Sequence, residues 1–446
     1  MPDLLEWIVT DAPLDGEVLP SPSPSPATPS ERQIEDRARK LSRQLWIMAG
    51  CLSLGLLAAM WLPPLVSAYR TRQAVALVVA GEEQAALAKD AARLRQFSSP
   101  ADAVWREAQA RRARAGQAAP LPIPLLRPLP QPGHLQSIEN FAPDIVRADI
   151  VRPYVAPDGT PFRFTLPQFY RFSGTWQRIP APDVYWGDQF AYTGQRVVLS
   201  YYPVDADIMK SLGPYLDDVL ARACAAWGCP DDLVIRVNFG SHYYQAAEIP
   251  RNLPSDEPLL YALMPPHFTR SLDYVLFVAS PHAAGYPADA ASADLFRRAI
   301  ATQVLFAAAD KLTFAYDGLN PIGNAFFYAL VARMSARLGL DAPGVARLHT
   351  ANTRFTVEQM WSVNTTFRAW GQPEAVRGAL AVMNALLQDR PAETEDKLFD
   401  GLRSAPDPAG WLAEGMGISV EAAQRKLEMA AANIRGDDPQ GFYTSP

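Results

Sequence analysis

The chain has 446 residues, 49% of them apolar and 20% charged, so it can bury a sizeable core and is not a wholly disordered polypeptide. Its 41 basic and 47 acidic side chains leave a net charge of −6, and no nucleic-acid partner is expected of a chain without a basic balance. Three cysteines exclude a disulfide-dense scaffold, and the five histidines form no zinc-finger cluster.

Residues 1–43 read as a cytoplasmic tail, largely disordered. Leu4, Leu5, Trp7, Ile8 and Val9 form one short apolar turn, followed by Asp11, Asp15 and Glu17. Ser21–Ser30 (SPSPSPATPS) is a Pro/Ser spacer that stays extended and cannot form a core. The first ten residues are either a frayed end or a docking peptide for a cytosolic partner.

From residue 44 to residue 69 there is no charged side chain. Leu45 to Val66 would span roughly 33 Å as a helix, against a hydrocarbon layer of ~30 Å. Trp46, Trp61 and Tyr69 stand where interfacial aromatic anchors are expected. These features predict one transmembrane helix, with the lipid bilayer as a partner through Leu45 to Val66. Val66-Ser67-Ala68 also resembles a signal-peptide cleavage site, although 44 residues precede the run. Arg32, Arg37, Arg39, Lys40 and Arg43 before it outnumber Arg70, Arg72 and Lys89 after it. The positive-inside rule then predicts a cell-membrane, single-pass protein, its N-terminus cytoplasmic and its C-terminal domain extracytoplasmic.

Residues 70–118 carry helical periodicity at Ala74, Leu77, Val78, Ala85, Leu87 and Leu94 and read as a helical stalk. Six prolines between 120 and 132 make 119–134 a polyproline-like linker. A strand pair is predicted over 162–172 and 174–179, a strand over 195–202 and an amphipathic helix over 206–227. Strands follow at 233–239 and 273–280, then helices at 291–312 and 323–338. The remainder is helical by pattern. The order predicts an α+β domain over 135–340 with a small mixed sheet, and a helical C-terminal subdomain over 341–446. Cys224 and Cys229 (CAAWGC) are either a local disulfide or buried thiols at a helix end.

Four stretches carry a resemblance. They are Phe169–Gly187 (FYRFSGTWQRIPAPDVYWG), Phe277–Asp289 (FVASPHAAGYPAD), Asn324–Gly339 (NAFFYALVARMSARLG) and Asp407–Glu428. Residues 165–415 resemble the membrane-anchored peptidase MA-like proteins of Chloroflexus-type bacteria, a gluzincin-fold family. The resemblance implies a zincin-like outer domain. It would place HExxH on Ala299–Gln303 and the third ligand at Asn324. A zinc peptidase needs two imidazoles at i and i+4 with a Glu between them, and this sequence offers none of the three. The resemblance therefore implies a pseudoenzyme: no catalytic residue, no metal and no cofactor.

The candidate cleft lies between the helices at 291–312 and 323–338, with Gln303, Asn324, Tyr328 and His282 as its candidate lining residues. The competing expectation is that Phe306, Phe326 and Phe327 fill it. His282, in SPHAAG, and His267, in PPHF, are read either as ligand-contacting groups or as loop histidines. Ser280 and His282 are too close in sequence to form a triad. Trp411–Leu427 could imitate a helix-turn-helix but carries only Arg425 and Lys426 as cations, so packing helices are expected there. The sequence reading is thus a binding or scaffolding protein at the cell surface with an unknown extracytoplasmic ligand. Its alternatives are a hydrolase with a non-standard metal site, for instance through Asp310 and Asp317, and a transmembrane signalling protein.

Overall fold

A computed structural model of the chain describes residues 31–114, 121–123, 126–156, 158–241, 268–269, 275–314, 324–341, 356–361 and 373–435. Residues 1–10, the Pro/Ser spacer, His242, His267, Asp317 and His349 lie outside them. The chain divides into two compact units, Met1–Thr71 and Arg72–Pro446.

Helix α1 (Glu31–Leu87) is 57 residues long and takes in the whole uncharged run. It continues beyond the run in both directions, through Arg37, Arg39, Lys40 and Arg43 on one side and Arg70 and Arg72 on the other. Leu45, Trp46, Leu52 and Met60 are exposed along it. Among the described residues, no helix is long and apolar enough to cross a membrane. The expected transmembrane helix over 44–69 is therefore corrected, and the single-pass membrane reading goes with it. A span needs about 20 consecutive, predominantly apolar residues. The uncharged run is not an element with its own ends but the middle of a longer helix, and it is diluted by Gly50, Ser53, Gly55, Pro63 and Pro64.

In the second unit the last turns of α1 lie on an antiparallel sheet instead of standing away as a stalk. Val75 and Val79, one turn apart on one face, pack against Val146, Ala148, Ile150 and Tyr170. Helix α2 (Ala91–Phe97) starts at Asp90, whose side chain accepts from the Arg93 N–H at 2.9 Å. Helix α3 (Ala103–Arg114) buries Trp105. Within the Pro-rich stretch, Ile123 and Leu126 enter the main core, and β1 (Arg127–Pro128) pairs with Tyr154–Val155. Proline suits such an edge position because it has no N–H to leave unpaired.

The first sheet is a six-stranded antiparallel array. Its centre is the meander β2 (His134–Ala142), β3 (Ile145–Val155), β4 (Pro161–Phe172) and β5 (Trp176–Ile179). The second sheet has five strands, ordered β6 (Phe190–Thr193), β7 (Val197–Tyr201), β8 (Ile235–Gly240), β10 (Val275–Ala279) and β9 (Phe268–Thr269). Strands β7, β8 and β10 run parallel. Among the described residues there are thus two sheets where the sequence suggests one small mixed sheet, and the architecture is mixed α and β.

The short helix α4 (Asp183–Trp186) follows β5. Between β7 and β8 the chain crosses over through α5 (Ala206–Trp227), preceded by a single 3-10 turn at Pro203–Asp205. Met209, Leu212, Leu216, Val219, Leu220 and Ala223 recur at three- and four-residue steps and are buried. Gly213 lets the helix approach the Tyr192 ring, where a Cβ would stand 2.8 Å from ring carbons. Gly228 ends the helix with φ 62° and returns its N–H to the Cys224 carbonyl, a conformation that favours glycine. Cys224 and Cys229 are joined there as a disulfide, with Cα atoms 4.8 Å apart.

After β10 come α6 (Pro281–Ala284) and β11 (Tyr286–Pro287), which returns to the edge of the first sheet at Phe164–Thr165. Helices α7 (Ala290–Phe314), α8 (Ala325–Arg337), α9 (Val357–Trp361), α10 (Pro373–Leu387) and α11 (Ala392–Gly401) follow. The chain continues with α12 (Pro408–Met416) and α13 (Val420–Arg435). Trp411 is fully buried and donates its Nε1–H to the Leu398 carbonyl at 2.7 Å. Ala423, Leu427, Ala430 and Ala431 bury one face of α13, so α12 and α13 pack as part of the core.

Candidate functional site

The helix pair α7–α8 holds three of the sequence-selected residues, and all three are buried. Asn324 is the N-cap of α8, its Oδ1 accepting from the Phe326 N–H at 2.9 Å. Tyr328 and Phe327 close on Phe306 of α7 with ring centroids 5.8 and 6.5 Å away. Gln303 is on α7, and its Oε1 finds no hydrogen-bond partner among the described residues. The rings of Phe306, Phe327 and Tyr328 thus pack together, buried, between these helices.

The positions that the peptidase resemblance assigns to zinc do not fit the metal. Ala299 brings no donor atom, Gln303 brings a neutral carboxamide, and the Asn324 oxygen is already committed to the α8 N-terminus. Among the described residues, no group of three His, Cys, Asp or Glu side chains is placed to hold a metal ion. Asp310 is buried within α7, and its suggested companion Asp317 lies outside the described residues.

His282 stands apart from the helix pair. Strands β7 and β10 lie on either side of β8 and run the same way, so their carboxyl ends meet at one edge of the sheet. Beyond β7 the 3-10 turn delivers Asp205, and beyond β10 Ser280 starts α6. The edge beyond the carboxyl ends of parallel strands is where open α/β sheets place their ligands.

Asp205 and Ser280 are fully buried. Asp205 Oδ1 lies 2.8 Å from His282 Nδ1 and 3.4 Å from the His282 backbone N–H, while Oδ2 accepts from Ser280 Oγ at 2.8 Å. A carboxylate can only accept, so the imidazole carries a proton on Nδ1 and donates it to Asp205. Ser280 is not a nucleophile here: its hydroxyl proton goes to Asp205, and its oxygen accepts from the His282 N–H at 3.2 Å.

Aromatic rings frame the imidazole. Tyr286 stacks on it at 4.6 Å, and Tyr185 meets it edge-on at 6.3 Å. Burial pushes both phenols up, so each stays a neutral donor. The Tyr185 hydroxyl has no hydrogen-bond partner among the described residues. The Arg147 guanidinium lies 6.0 Å from the Tyr185 ring and is held by Asp149 through bonds of 2.9 and 2.7 Å. A carboxylate-held imidazole, two phenols and a fixed cation thus converge around His282.

The sequence reading groups His282 with Gln303, Asn324 and Tyr328 as lining one cleft; the structure instead places His282 beside Asp205 and Ser280 at the strand ends, while the other three belong to the helix pair. Asp205 was missed. Its one local signal was an acidic residue in the turn between a strand and an amphipathic helix. No family model, no curated protein and no solved structure matches this chain.

Proposed function

We propose that this chain is a binding protein built on a peptidase-like fold without peptidase chemistry, and that it contacts its ligand at His282 instead of between α7 and α8. The observation that supports the reading is the packing of Phe306 against Tyr328 and Phe327 between the two helices to which the resemblance assigns the zinc ligands. The polar groups that converge elsewhere are those around the Asp205–His282 pair. The Cys224–Cys229 bridge supports work in an oxidising compartment.

The test uses purified full-length chain and a fluorogenic mixed-sequence peptide library as the probe. Peptide retention without cleavage, lost in His282→Ala, is expected. Chelator-sensitive cleavage together with stoichiometric zinc would overturn the reading. A second reading, a hydrolase of non-standard site, is favoured by one observation only: the carboxylate-held imidazole is what a general base requires. Cleavage that survives chelation and disappears in His282→Ala would select it.

A further inference from the structure

The first sheet carries a second buried polar cluster, remote in sequence from His282. Glu82 and Glu83, adjacent near the end of α1, are both buried against the sheet. Glu83 is fully compensated. Arg152 of β3 binds it through both terminal nitrogens, with one bond at 2.8 Å, and the Gly133 N–H adds a contact at 3.3 Å. Glu82 has no such partner. Its Oε2 lies 2.8 Å from the Tyr170 hydroxyl, and its Oε1 has no hydrogen-bond partner among the described residues.

Tyr170 is the informative group. Its hydroxyl oxygen stands 2.8 Å from Glu82 Oε2 and 2.6 Å from Gln168 Oε1, two acceptors for a single O–H. Both contacts are satisfied if Glu82 carries a proton: Glu82 donates to Tyr170, and Tyr170 donates to Gln168. A neutral carboxyl also tolerates the orphaned Oε1, whereas a buried carboxylate would leave charge on an unpaired oxygen.

We propose that docking of the α1 end on the antiparallel sheet is coupled to protonation, with Glu82 protonated when docked and ionised when released. The groups that face Glu82 are Arg178 from β5, Tyr170 from β4, Arg152 from β3 and Glu83 from its own helix. Arg152 is spent on Glu83, and Arg178 stacks at 5.6 Å over the Trp105 ring of α3. Burial outweighs the attraction of these cations and pushes the Glu82 carboxyl up to about 7. The α1 end is thus a latch that holds in acid and loosens as the pH rises toward neutrality.

Amide hydrogen exchange over 75–87 in the full chain, corrected for intrinsic rates, tests this. The opening constant should rise about tenfold per pH unit from about pH 5 to about pH 7 and then level off. Glu82→Gln should give a flat profile, and retention of the wild-type slope would overturn the proposal. If that variant fails to fold, the wild-type profile decides alone, because a flat response over this range is incompatible with proton release on opening.

Discussion

Replacing Asp205 by Asn changes one atom and reverses the donor pattern of the candidate site. Asp205 receives the Ser280 hydroxyl, the His282 Nδ1–H and, at longer range, the His282 backbone N–H while fully buried. An asparagine keeps only one accepting oxygen. Once that oxygen serves Ser280, the amide nitrogen faces His282 Nδ1 and can only donate to it. The imidazole must then leave Nδ1 unprotonated and carry its proton on Nε2, which reverses the role of Nδ1 from donor to acceptor. Two charge-assisted bonds become neutral ones, each weaker by about 1 kcal/mol, so about 2 kcal/mol of stability should be lost. Nitrogen-15 NMR of the His282 ring reads the tautomer directly, and denaturant unfolding reads the stability. An unchanged Nδ1–H tautomer in Asp205→Asn would refute the assignment of Asp205 as the group that fixes the ring.

Three further outcomes follow from the packing. Phe306→Ala should cost about 3–5 kcal/mol by opening a cavity between α7 and α8, measured by chemical unfolding, and xenon binding should detect the void. Arg152→Met leaves Glu83 buried without its cation and should cost about 3–5 kcal/mol, while Glu83→Met with Arg152→Met should recover most of it. Folded Glu82 keeps its proton to about 7, against the ordinary 4.5, so its contribution is greatest below about pH 4.5 and declines as the pH rises to about 7. The pH-dependent stability difference between wild type and Glu82→Gln should therefore span about 3 kcal/mol and be constant above that range.

Much of the second sheet was legible. Helix α5 is amphipathic at a regular step and ends at a glycine, which fixes both its face and its limit. Strands β2 and β3 were not legible as a pair. Strand β3 is buried on both faces and carries Arg147, Asp149 and Arg152 inside the packing, so it has neither the alternation nor the apolar run that marks a strand. The α1 end showed a helical face, but periodicity does not say what that face meets. Hydropathy likewise marked the run at 44–69 without marking where its helix begins or ends. At the candidate site, His282 stood out beside a proline and a serine, while its partner lies 77 residues earlier, a distance that local pattern cannot bridge.

The placement of β11 has a consequence for how the His282 site is assembled. The eight residues from Ser280 to Pro287 leave one sheet and join the edge of the other, and the imidazole sits between those attachments. Asp205 belongs to the first attachment and Tyr286 to the second. Neither half alone can present the ring correctly, so the site behaves as a coincidence detector for completed folding. A nascent or half-folded copy would lack the binding site proposed here.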